Sequence, residues 1–134
     1  MFRKIILSAV SLTALAVGTI AVISPGTLLA GKGIVANPAA EVWMRQVGVL
    51  LIPLGLIAFW VRGHKDSPTL RAVLLGNLLI QAGMFPVEII AYRSGVIPRL
   101  SGIVPNSALH VILACGLAFV VFGKGARAEV AEGN

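Results

Sequence analysis

Residues 5–23 read IILSAVSLTALAVGTIAVI, nineteen consecutive positions without a charge. At about 1.5 Å per residue a helix of that length covers about 28 Å, close to the roughly 30 Å hydrocarbon core of a bilayer. The stretch reads as a membrane-spanning helix. Arg3 and Lys4 precede it as they would precede the apolar region of a signal peptide, but such regions run to only about 7 to 15 residues, and this one is longer.

The rest of the chain has the same character. Of its 134 residues 57% are hydrophobic and 12% charged, against roughly 25% charged in a soluble domain, which excludes a water-soluble globule. The 15 glycines and 7 prolines punctuate apolar runs, and a mean hydropathy of +0.96 fits a membrane composition. The single Cys115 rules out an intramolecular disulfide, a paired-thiol zinc site and a CxxC redox centre. The net charge of +6 comes from Lys and Arg at the ends of apolar runs, not along one polar face. Membrane topology explains them, and nucleic acid is not an expected partner.

Three further spans follow, giving an all-α integral membrane four-helix bundle as one membrane domain over residues 1–134. Ser24-Pro25-Gly26 stops the first helix, and Lys32 through Pro38 reads as a short polar connection. The second span covers about 42–61 and is expected to kink at Pro53, which removes a backbone donor. After the hydrophilic turn of residues 62–68 the third covers about 71–92. The fourth covers about 106–122, and residues 123–134 form a polar tail. Arg3, Lys4, Arg62, Lys65, Arg71, Lys124 and Arg127 fall on one side, against Lys32, Arg45, Arg93 and Arg99 on the other. The excess marks the cytoplasmic face, so both termini are expected inside and the protein in the inner membrane as a multi-pass chain.

Ionisable residues within spans are costly and are expected to face the bundle interior with a partner. Arg45, Glu88 and His110 lie at similar depths near the outer surface in three different helices. At about 100° per residue, Asn77, Gln81, Met84, Glu88 and Tyr92 form a polar stripe on the third helix, and Asn106 and His110 share a face of the fourth. The expected layer therefore comprises Arg45, Glu88, His110, Asn77, Gln81, Asn106 and Tyr92, with Arg45 and Glu88 pairing across helices. Small residues mark packing faces: Ala14 and Gly18 beside Ser11 on the first helix, Gly48 and Gly55 with Arg45 on the second, and Gly76 and Gly83 away from the polar stripe on the third. Trp43, Trp60 and Tyr92 sit at span ends, as interfacial anchors do. Cys115, with no cationic neighbour in sequence, reads as a packing residue. His64 belongs to a solvated turn opposite His110, so the two cannot jointly hold a haem. No phosphate loop, dinucleotide fingerprint, Ser/His/Asp set or zinc spacing occurs, so neither a cofactor nor a metal is expected.

The Ser24-Pro25 end of the first helix, the Arg45-Gln46-Val47-Gly48 start of the second with Gly55 after it, the basic turn to Arg71 and the Asn106-to-His110 start of the fourth together give a pattern. It resembles the small four-helix bacterial membrane proteins of the DoxX-like and DUF4345-like groups over most of the chain. The resemblance implies the bundle fold and little about activity; Glu88, two residues after Pro86, lies outside it. A small four-helix multidrug transporter would need an acidic residue in the first helix, and vitamin K reductases and disulfide-forming enzymes need paired cysteines; neither is present. Sterol-isomerase-like bundles place acidic and histidine residues in a membrane pocket, which keeps an enzyme reading open.

Three functional readings result. The first is a non-enzymatic accessory subunit of a larger membrane complex, or a self-associating bundle, with the polar layer fixing helix register. The second is a binder or enzyme for a lipophilic molecule using Arg45, Glu88 and His110. The third is a proton-coupled transporter along Asn77, Gln81 and Glu88, whose cytoplasmic half lacks an ionisable group.

Overall fold

A computed structural model describes residues 1–123, and among them every regular element is helical. The chain runs through α1 (Phe2–Ile23), α2 (Pro25–Gly31), α3 (Pro38–Val61), α4 (Pro68–Arg93), a 3-10 turn (Leu100–Gly102) and α5 (Val104–Phe122). The four long helices are each long and apolar enough to cross a membrane. They form a four-helix bundle. Apart from Gly123, the polar tail expected over 123–134 lies outside the described residues.

Each long helix extends a few residues beyond its apolar stretch. The α3 start is set by Asn37, whose Oδ1 accepts from Ala40 N–H at 2.9 Å ahead of Pro38 at the first helical position. Ser67 and Pro68 repeat the arrangement at α4, with Leu70 N–H donating to Ser67 Oγ at 3.1 Å. In each case the side chain satisfies an orphan donor, and proline occupies a position whose own N–H would be unpaired. Ser24-Pro25 does end α1, but Pro25 then begins α2, about two further helical turns where a stop was expected. The α3 helix continues as one element through Pro53.

Packing is pairwise. Helix α1 lies most extensively on α3 and α4 on α5, and contact between α1 and α5 joins the two pairs. Glycines set the α1–α3 approach: a Cβ on Gly48 would stand 2.7 Å from Gly18 O and 2.9 Å from Ala21 Cβ, and one on Gly55 2.9 Å from Leu15 Cγ. Gly116 does the same for α5 against Ile6. Backbones that close gain dispersion contact, the main packing force in lipid. Ala14 on α1 is half-buried. Gly76 and Gly83 differ, since a Cβ on either would meet nothing within 4 Å.

The apolar core joins Ile6, Leu7 and Val10 of α1, Ala58 of α3, Leu70 and Leu74 of α4, and Leu113 and Leu117 of α5. It fills the half of the bundle nearer the start of α1. At that end Phe2 and Phe119 meet edge to face at 5.3 Å. Arg3 lies 3.8 Å from Asp66 and donates to the His64 carbonyl at 2.5 Å. The start of α1, the α3–α4 turn and the end of α5 are thus neighbours, as an even number of crossings requires.

Only 17–28% of each helix's apolar window is buried inside the bundle. Leu12, Leu79, Ile112 and Phe119, each more than 60% exposed, point outward. So much contiguous apolar surface is unstable in water and is solvated by lipid. The chain is a small integral membrane protein.

Candidate functional site: a polar layer between α4 and α5

The second half of the bundle is built on different chemistry. Helix α4 presents Asn77, Gln81 and Glu88 on one face, because four- and seven-residue spacings return to nearly the same angle. All three are buried, Glu88 to 3% exposure. Facing them, the first turns of α5 supply Asn106, Ser107 and His110. The third side of the layer comes from Lys32, just after α2, whose ammonium forms an ion pair with Glu88.

Glu88 is the centre. Its Oε1 accepts from Lys32 Nζ and from Asn106 Nδ2, the latter at 2.6 Å, while Oε2 accepts from Ser107 Oγ at 2.6 Å. Asn106 Nδ2 also lies 3.1 Å from His110 Nε2, and His110 Nδ1 contacts Gln81 Oε1. An amide nitrogen can only donate and a carbonyl oxygen only accept. The imidazole satisfies both neighbours in its neutral form, with hydrogen on Nδ1 and a lone pair on Nε2. The two hydrogens of Asn106 are then divided between Glu88 and His110.

Several expected members stand elsewhere. Arg45 does not pair with Glu88. Its Nη1 donates to Val22 O at 2.6 Å, its Nη2 lies 3.8 Å from Glu41 within α3, and its side chain is 48% exposed. The reason is lateral: α3 packs on α1, so an arginine on its α1-facing side meets the carbonyls at the end of α1, where positive charge is favourable. Asn77 turns back on its own helix, donating to Val73 O at 2.9 Å. Tyr92, half-buried near the end of α4, makes no side-chain hydrogen bond among the described residues.

Lys32 and Ser107 belong to the layer without a signal in the sequence. Lys32 sits in what reads as a solvated connector, and it reaches Glu88 because α2 and the α4–α5 loop fold together. A Cβ on Gly102 would stand 2.5 Å from Lys32 O, so only glycine lets the two segments approach this closely. Ser107 lies one residue from Asn106, too small and common in membrane helices to stand out.

The arrangement restricts the chemistry. The Ser107 hydroxyl donates to a carboxylate, not to His110, so no serine–histidine nucleophile is assembled. Cys115 is exposed on the outer side of α5. Among the described residues no group of three His, Cys, Asp or Glu side chains could hold a metal ion. Comparison with protein-family models, with curated proteins and with solved structures finds no match.

Proposed function

We propose that this chain is a non-enzymatic inner-membrane protein, acting as an accessory subunit of a larger membrane assembly or as a self-associating bundle, in which the polar layer is a structural clasp. The observation that carries this reading is the division of Glu88's two oxygens among Lys32, Asn106 and Ser107, from two segments outside its own helix. A carboxylate so engaged holds α4, α5 and the α1–α3 connector in one register. Binding a substrate there would first require breaking those bonds.

Proton transfer along the layer is disfavoured by the same geometry. Between Glu88 and His110 stands an amide nitrogen that donates in both directions, and a donor-only group does not relay a proton. Association with a partner is supported by Gly76 and Gly83 on α4, which are exposed and whose missing side chains leave open space. A second helix could approach the α4 backbone there.

Mild-detergent purification of the native chain, with mass spectrometry of everything retained, tests this reading. A stoichiometric protein partner or a discrete homo-oligomer is expected. A monomer retaining a lipophilic molecule that is lost on Glu88→Gln, in a still-folded bundle, would contradict it.

A further inference from the structure

Helix α3 is held on one side only. It packs on α1 and touches α2, and of its residues Gly48, Gly55 and Ala58 are the buried ones. At about 100° per residue, Gln46 stands about 160° to 180° from Gly48 and Gly55, on the side that faces away from the bundle. Its side chain is exposed and makes no hydrogen bond among the described residues. The other carboxamides within the spans, Asn77, Gln81 and Asn106, are each engaged. Beside Gln46 runs a shallow groove of about 450 Å³, lined by Val42, Val49, Leu50 and the aliphatic stems of Arg45 and Gln46. The Arg45 guanidinium itself is held by Val22 O and Glu41.

A second polar group shares this face. Pro53 has no N–H, so the Val49 carbonyl loses its usual intrahelical donor. Hydrocarbon offers a partner to neither group. The surrounding pattern is that of a helix pair: Gln46, Pro53 and Trp60 recur every seven residues, Val42, Val49 and Leu56 form a second such series, and all six are exposed. Two interleaved seven-residue series make the seam of a left-handed pair, where a single polar residue fixes the register. We infer that α3 is the contact face of a symmetric dimer of this chain, in which the Gln46 side chains of the two copies hydrogen-bond each other. A carboxamide donates through nitrogen and accepts through oxygen, so it is complementary to itself. Two copies inserted in the same orientation bring it to the same depth on either side of a two-fold axis; an unrelated helix does so only by coincidence. This rests on the self-association reading above and specifies its surface, leaving the α4 face with Gly76 and Gly83 open to a different protein.

Thiol cross-linking in native membranes with a short, lipid-soluble bis-maleimide, in a Cys115→Ala background, tests the face. Val42→Cys and Val49→Cys are expected to give about fivefold more cross-linked dimer than Leu79→Cys on α4 or Ile112→Cys on α5, positions that are at least as exposed. In light scattering of the solubilised chain, Gln46→Leu should raise the dimer dissociation constant about tenfold, and Gln46→Asn, which keeps the amide, should raise it less. A thermal melt at a dilution where both are monomeric should show Gln46→Leu no less stable than wild type, so that loss of the dimer is not loss of the fold. A dimer that cross-links through Leu79→Cys or Ile112→Cys instead, or a Gln46→Leu dimer as tight as wild type, would overturn this interface and leave self-association standing. A chain that is monomeric throughout, or that cross-links from α3 to a different protein alone, would overturn both and leave the accessory-subunit reading.

Discussion

Lys32 and Glu88, 56 positions apart in the chain, form an ion pair that ties the α1–α3 connector to α4. Glu88 is buried, while a quarter of the Lys32 side chain remains accessible. The carboxylate therefore depends on its partners for solvation far more than the ammonium does. Ser107 and Asn106 complete its shell from α5. One side chain thus bridges the connector, α4 and α5, beside the Gln81–His110 contact that also joins α4 to α5.

Ser107→Ala should be milder than any change that leaves a charge unpaired. Hydrogen bonds inside membrane bundles contribute about 0.6 kcal/mol on average and at most about 1.7, whereas stranding a buried charge costs about 3 kcal/mol or more. Reversible unfolding in mixed micelles should rank Lys32→Met as more destabilising than Ser107→Ala.

Arg45 should be energetically independent of Glu88, since the two share no partner. Arg45→Met removes the donor to Val22 O at the end of α1 and should cost about 1 kcal/mol, the scale of a helix-end charge and its hydrogen bond. Combined with Glu88→Gln, its effect should add to within about 0.5 kcal/mol in the same unfolding measurement.

The two sets of glycines should respond oppositely. Gly48→Val places atoms where Gly18 O, Val22 and Ala21 already stand, and overpacking of this kind costs about 1 to 3 kcal/mol. Gly76→Val and Gly83→Val meet open space and should leave monomer stability within about 0.5 kcal/mol. If the α4 face carries the association proposed above, those same two changes should weaken oligomer or partner retention, which size-exclusion chromatography with light scattering would read.

Cys115 lies on the outward side of α5, midway along an apolar helix. In intact membranes a lipid-soluble maleimide should label it, and a charged, membrane-impermeant reagent should not. Labelling by both would place this face in water and contradict the spanning arrangement.

The spans were legible because length and hydropathy determine them directly: nineteen uncharged positions after Lys4 leave little alternative to a helix in lipid. Helical phase was legible too, and it placed Gln81 and Glu88 on one face of α4 and Asn106 and His110 on one face of α5. Lateral neighbours were not. Depth alone suggested Arg45 as the partner of Glu88, but nothing in the local sequence says that α3 pairs with α1 while α4 pairs with α5. That choice depends on where Gly18, Gly48 and Gly55 allow backbones to meet. Lys32 was hidden for a similar reason. Its reach depends on α2 forming after Pro25 and on Gly102 admitting the connector, both tertiary consequences of residues that read locally as breakers.

The most direct measurement is a double-mutant cycle of Lys32→Met and Glu88→Gln, read by reversible unfolding in mixed micelles. A structural clasp requires Lys32→Met alone to cost about 3 kcal/mol, because it strands the buried carboxylate, and the double variant to regain at least about 1 kcal/mol of that loss. Additive effects, with a coupling within about 0.5 kcal/mol of zero, would show that the pair does not hold the bundle together and would contradict the structural role assigned to the layer.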